Sequence, residues 1–454
     1  MNSSKPFGSP QAFRPDFVPA DTFRGGDVLA LEKERLWPRI WQKACREEEL
    51  TTVGAFVNYV IMDDSILIVR TGAGPDDLVA YYNVCQHRGR RLKMEPRGQI
   101  GHAITCRFHG WRWTREGELD YVHMGEDWEG CPEMTAKDLA LPKVKLARWG
   151  GWIWLNQDEN AESLESFLGE VIPALDPFEP ENMRALWWKT IIMPVNWKIV
   201  IEAFDEAYHV FATHTGGVNY RSMGNICEVH GLHSLFRTAG GPAQLTEYRT
   251  TRGPWKKAET IAELLYAYDL HTYRALGAMI LEPGMAAVER LRDLPADTPI
   301  LELLDKRWEY FHEEFAKRGI AWPKNLTREA VARAGTDWHI FPNSIILPTV
   351  DGAIWYRMRP NGDNPDSCIV DIWSFGRFPP GEEPKVEQEI YESLEAFKGQ
   401  CEFLEEDFLN LEAVNLGVKS RGWRGARTNP KQEVPVNHFR KMLTEFLNTP
   451  PEGE

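Results

Sequence analysis

Short alternating and apolar runs occupy residues 51–157. Ala55-Phe56-Val57-Asn58-Tyr59-Val60-Ile61, Ile66-Leu67-Ile68-Val69 and Leu78-Val79-Ala80-Tyr81-Tyr82 are bounded by Gly54, Asp63-Asp64 and Gly72-Ala73-Gly74-Pro75. Runs of this kind between turn residues predict strands. The stretch closes on Gly150-Gly151-Trp152-Ile153-Trp154-Leu155, so residues 38–158 read as an all-β module. Ahead of it, an irregular arm over 1–25 leads into a helical pattern over 27–44 carried by Val28, Leu29, Leu31 and Leu36. After 159 the periods mix. Helix is predicted over 162–171, a strand over 183–196 and a helix over 197–213. Charged helices follow through 254–334 with a break at Pro283-Gly284, then strands over 338–378 and a long helix over 385–416. The chain thus divides into an arm and helix (1–37), the β module (38–158) and a mixed domain (159–454), an α+β organisation.

The length, 454 residues, fits two domains and a large core, so disulfide staples are not needed. Seven cysteines are present; Cys45, Cys131, Cys227, Cys368 and Cys401 show no pairing pattern and read as free thiols in a reducing compartment. Met1-Asn2-Ser3-Ser4-Lys5-Pro6 leads into no apolar run, so no signal peptide is expected and the location is cytoplasmic. No apolar stretch is long enough for a membrane span. The net charge of −15 argues against nucleic acid as a partner.

Candidate chemistry begins in the β module. Cys85-Gln86-His87 and Cys106-Arg107-Phe108-His109 each offer a thiolate and an imidazole at tight-turn spacing. Two such loops facing each other hold a metal centre with two sulfur and two nitrogen ligands. Tetrahedral zinc and a Rieske two-iron two-sulfur cluster both fit that set. The mixed Cys–His order within each pair favours the cluster, because zinc fingers usually pair Cys with Cys and His with His. Arg88, Arg90, Arg91, Lys93, Arg97, Arg107, Arg112 and Arg115 surround these loops, a positive patch suited to an acidic electron-transfer partner.

Cys85-x-His87-Arg88-Gly89 and Cys106-x-Phe108-His109-Gly110-Trp111 resemble the Rieske motif of ring-hydroxylating oxygenase large subunits. The gap between the pairs is a residue or two longer than the family's usual spacing, which a loop between strands absorbs.

A second site lies in Glu202-Ala203-Phe204-Asp205-Glu206-Ala207-Tyr208-His209-Val210-Phe211-Ala212-Thr213-His214. His209 and His214 stand well apart on a regular helix, so both meet one metal only if the helix ends or loosens near Thr213. Gly216-Gly217 offers a stop. The resembling family has Glu-Asn-Phe, an acidic residue, Tyr-His and a second His here; this chain departs at Ala203 and has Glu206 where many members have Asp. Two His and one carboxylate with open positions indicate non-haem iron(II). For the carboxylate, Asp407 has helical neighbours Phe403, Leu404, Asn410 and Leu411, a largely apolar environment that is costly for an unpaired charge. The family's Asp with a Glu five residues later matches Asp407 and Glu412, and Glu412 is the competitor. Glu402, Glu405 and Glu406 read as a solvated face.

The resemblance implies a Rieske domain joined to a helix-grip (START-like) catalytic domain with a curved antiparallel sheet. It implies a 2Fe-2S Rieske cluster on Cys85, His87, Cys106 and His109, and mononuclear Fe(II) on His209, His214 and Asp407. It further implies that Glu206 bridges His209 to the His109 of an adjacent chain, in a homotrimer with or without a small β subunit. No dinucleotide or flavin signature is found, so NAD(P)H acts only indirectly, through a ferredoxin or flavin reductase. The implied activity is O2-dependent hydroxylation of an aromatic or other apolar substrate. Glu206 keeps open the alternative of a monooxygenase or demethylase acting on an amine or ether. Phe204, Phe211, Ile340, Ile346 and Val218 are the candidate pocket walls. Two other classes remain: a pure Rieske electron carrier and a zinc-stabilised helix-grip binding protein.

Overall fold

The computed structural model describes residues 14–23, 26–132, 134–214, 224–238 and 258–450. The chain divides into two compact units, one over Glu32–Phe167 and one comprising the chain on either side of it.

In the first unit a seven-stranded sheet runs in the order Gln42–Arg46, Trp152–Asn156, Lys143–Trp149, Leu78–Tyr82, Asp64–Arg70, Ala55–Ile61, Arg97–Gln99. A smaller sheet holds Ala103–Thr105, Arg112–Thr114 and Leu119–Tyr121. The predicted helix over 27–44 is cut short. Helical turns reach Leu36, Pro38 sits in a 3₁₀ turn, and the strand begins at Gln42. Proline cannot continue a helical ladder, which accounts for the stop.

The second unit is built on a curled eight-stranded sheet. Its order is Asn225–His230, His233–Thr238, Asp337–Ile340, Ser344–Pro348, Gly352–Asn361, Asn364–Gly376, Arg184–Met193, Gln388–Tyr391. Every neighbouring pair is antiparallel except the last. At its centre Asp371 accepts from Arg357 Nη2 at 2.7 Å, Arg359 Nη2 at 3.0 Å and the Thr190 hydroxyl at 2.7 Å. Trp197–Phe204 lies on Gly352–Asn361 and Asn364–Gly376 and against Glu402–Gly417. Ile261–Leu276 opens with a reciprocal cap between Thr260 and Glu263 and ends at Gly277, whose φ of +63° suits glycine.

Three predicted elements differ. Pro283-Gly284 does not break a helix; it starts Glu282–Glu289, where the missing N–H costs nothing. The long helix over 385–416 is instead an edge strand, Gln388–Tyr391, a single turn, Leu394–Phe397, and a helix, Glu402–Gly417. Glu405 accepts the amides of Gly399 at 2.6 Å and Gln400 at 3.0 Å, so it holds the helix start rather than a solvated face. The helix over 197–213 stops at Phe204 and resumes at Val210. Among the described residues, no helix is long and apolar enough to cross a membrane.

Candidate metal centres

The two Cys–His pairs sit on loops with one shared wiring. Leu78–Tyr82 leads to Cys85, and Cys106 lies between Ala103–Thr105 and Arg112–Thr114. In the first loop the Gly89 amide donates to the Cys85 carbonyl at 3.0 Å and the Cys85 amide to the Arg90 carbonyl at 2.9 Å. In the second, Gly110 donates to Cys106 at 3.0 Å and Cys106 to Trp111 at 2.8 Å. Gly89 and Gly110 have φ of +71° and +78°, and a Cβ at either would meet nothing within 4 Å. Backbone conformation rather than space thus calls for glycine there. Asn83 braces the first loop; its Oδ1 accepts from Leu92 and Lys93 at 3.0 and 2.9 Å.

Both thiols belong to an apolar core with Leu92, Ile104, Trp111 and Trp113, and burial pushes the Cys85 thiol up. The imidazoles lie nearer the surface. His87 Nδ1 and His109 Nδ1 approach to 3.1 Å. His87 stacks on Trp111 at 4.7 Å, and burial and then His109 lower its pKa. Two sulfur donors on the inside and two convergent nitrogens on the outside fit a cluster with Cys on one iron and His on the other.

The second centre arises from the broken helix. His209 follows the turn at Asp205–Tyr208, and His214 ends the short helix Val210–Thr213. The helix ends at Thr213, where His214 leaves the helical conformation with a ψ of 88°, as the pairing of the two histidines requires. The expected stop at Gly216-Gly217 lies outside the described residues, as does Val218. Asp407, on Glu402–Gly417, completes the group: its Oδ1 is 3.3 Å from His209 Nε2 and 3.2 Å from His214 Nε2. One ligand atom from each of the three lies within 4.8 Å of the others. His214 Nε2 is buried with no hydrogen-bond partner among the described residues. A buried lone pair left in that state is costly, and a metal ion satisfies it. Glu412 is exposed and outside this group.

The other ring nitrogens are held by carboxylates. Glu206 Oε1 lies 2.7 Å from His209 Nδ1, while its Oε2 accepts the amides of Tyr208 and His209. Glu406 Oε2 lies 2.8 Å from His214 Nδ1, which overturns its reading as solvated face. Burial pulls the His209 imidazole down, but Asp407 and Glu206 outweigh it and push its pKa up to about 10. Burial raises the Asp407 carboxyl, and the neighbouring imidazoles of His209 and His214 bring it below its ordinary value.

A cavity of about 210 Å³ opens beside the three ligands, lined by Phe204, Phe236, Asp337, Leu347, Tyr356 and Phe403 among others. Of the predicted walls only Phe204 is placed there. Ile346 pairs with Trp338 and Ile340 with Ser344, so they face away; Asp337 and Leu347, one residue out of step, face in. The Phe211 side chain lies outside the described residues.

Residues 180–449 match the family model of the ring-hydroxylating alpha subunit catalytic domain, and residues 40–126 that of the Rieske [2Fe-2S] domain. The carnitine monooxygenase oxygenase subunit of Escherichia coli (strain K12) is 28% identical over 204 residues, 44% of this chain and 52% of that protein. The chlorobenzene dioxygenase subunit alpha of Cupriavidus sp. (strain PS12) is 29% identical over 198 residues, 42% of this chain and 43% of that one. In these matches the chain spans about half the length of the curated relatives. A crystal structure of a quaternary ammonium Rieske monooxygenase in complex with L-carnitine shares the fold, with a TM-score of 0.63 at 16% identity over 98% of this chain and 99% of that one. With the catalytic-domain model matching more than half of the chain and the Rieske [2Fe-2S] model matching ahead of it, the chain belongs to the ring-hydroxylating alpha subunit family.

Proposed function

We propose that this chain is the oxygenase component of a Rieske system, with the cluster on Cys85, His87, Cys106 and His109 and mononuclear iron on His209, His214 and Asp407. The cluster supplies single electrons and the iron supplies the place where O2 meets the organic substrate. Glu206 and Glu406 hold the Nδ1 protons of the two histidines, so both Nε2 lone pairs face the metal position. The observation that carries this reading is the His209–His214–Asp407 group beside a cavity that accepts a small molecule.

Of the two substrate readings, the amine one is favoured, so the activity is monooxygenation, such as oxidative demethylation. Relatives named for carnitine, and Glu206 in place of Asp, support it. Electrons arrive from a ferredoxin or flavin reductase; Arg88, Arg91 and Arg107 are exposed around the cluster loops for an acidic partner. Glu206 also lines a second cavity of about 500 Å³ with His209 and Asp407. That cavity supports the reading in which Glu206 bridges to the partner subunit's His109 within a homotrimer.

The test is a screen of N-methyl amines and aromatic compounds for coupled NADH and O2 consumption with a reconstituted reductase. The amine reading expects formaldehyde release in step with O2 uptake. Formation of cis-diols from arenes without turnover of any amine would restore the aromatic reading.

A further inference from the structure

Asp337 is the odd member of its cavity. It opens the strand Asp337–Ile340 and, by register, shares a face with Phe236, Leu347 and Tyr356. Its side chain is buried, and its Oδ2 has no hydrogen-bond partner among the described residues. No lysine or arginine lines the cavity among those residues. Burial pushes its carboxyl well above the ordinary carboxylate range, so its charge in these surroundings calls for a cation to meet it. The same cavity is lined by the rings of Phe204, Phe236, Tyr268, Tyr356 and Phe403, and aromatic rings attract cations. A carboxylate and several aromatic rings lining one cavity are the combination that recognises an ammonium group: the rings accept its methyl or methylene shell, and the carboxylate answers its charge.

We propose that Asp337 is the substrate-anchoring residue, fixing the positive charge of an alkylammonium substrate within this cavity beside His209, His214 and Asp407. The proposal rests on the amine reading above and narrows it to substrates that are cations when they bind. Asp337 acts through charge and position; it makes and breaks no bond.

Choline and 3,3-dimethylbutan-1-ol test it. They have the same shape and differ in one charged nitrogen. Both are titrated calorimetrically into the full chain carrying both metal centres. The wild-type protein is expected to bind choline ~30-fold or more tightly than the alcohol. Asp337→Asn, which keeps the shape, should bring the two affinities within about threefold while the cluster spectrum and iron content stay unchanged. Asp337→Ser should give the same result. Absence of choline binding in wild type, equal affinities in wild type, or a preference that survives both substitutions overturns the proposal. The titration needs no turnover. A charge preference lost in Asp337→Asn, without oxidation of any amine, supports the anchor and removes the activity. Amine oxidation with a preference indifferent to Asp337 removes the anchor and leaves the activity.

Discussion

Glu406 Oε2 lies 2.8 Å from Nδ1 of His214, although 192 residues separate them in sequence. The same helix thus delivers Asp407 to one nitrogen of the imidazole and Glu406 to the other. Partners of this kind fix the tautomer and raise ligand basicity. Glu406→Ala should weaken iron affinity about 10–100-fold, with Glu406→Gln milder because the amide oxygen still accepts. Iron titration against a competing chelator reads this directly. Unchanged affinity in the alanine variant would mean that Glu406 does not orient His214.

His209→Ala, His214→Ala and Asp407→Ala should each lose mononuclear iron and turnover with the Rieske spectrum intact. Glu412→Ala should lose neither. Metal analysis beside visible absorbance decides it, and an Asp407→Ala protein with full activity would return the carboxylate role to Glu412.

Cys106→Ser should abolish the visible Rieske absorbance. In the intact protein, imidazoles in place of two thiolates should lift the potential by roughly some hundreds of millivolts over an all-cysteine ferredoxin. A normal Rieske EPR signal from Cys106→Ser would remove Cys106 from the ligand set.

Glu206→Gln keeps the shape and removes the charge. It should retain both metals and the oligomer, accept electrons normally at the cluster, and fail to pass them to the iron. Stopped-flow oxidation of the reduced cluster is the measurement; a wild-type rate would eliminate the bridge, and so would a monomer with full activity.

Burial alone would raise the Asp371 carboxyl, but Arg357, Arg359 and the Thr190 hydroxyl outweigh it and hold its pKa far below the ordinary value. A depressed carboxylate stabilises the fold above its unfolded pKa, about 4. That contribution drains away as pH falls below about 4, toward the folded value. Asp371→Asn should cost on the order of 3–5 kcal/mol near neutral pH, since it takes the carboxylate from the buried Arg357 and the partly buried Arg359. It should also flatten the acid limb of a stability–pH curve. Urea unfolding across pH tests both, and an unchanged midpoint would show the pair to be dispensable.

The Cys–His loops and the His209–His214 pair were legible in the sequence because donor type and spacing are local facts, and Asp407 drew notice through its mostly apolar helical neighbours. The β module was legible because its strands alternate between turn residues. Glu406 was hidden because it neighbours Asp407 in sequence, and helical periodicity assigns adjacent residues different faces; only the packing of His214 onto that helix reveals it. The break after Phe204 carries no Gly or Pro to announce it, and the capping of that turn by the Glu206 side chain shows only in the folded chain. Gln388–Tyr391 reads as helix because an edge strand leaves residues such as Ile390 exposed, which erases its pattern. Asp337 left one trace: a carboxylate at the head of the apolar run Trp338-His339-Ile340-Phe341.

The broken helix has a mechanical corollary. His209 and His214 sit on either side of a short helical turn, and the third ligand lies about 190 residues further along the chain. An ion gripping all three acts as a rivet through the unit, tying a long chain loop at a point where the helix itself has given way. An ion that binds the folded site and leaves on unfolding adds to cohesion by mass action. The melting point of the iron unit should therefore track iron concentration, while the cluster unit melts to its own schedule.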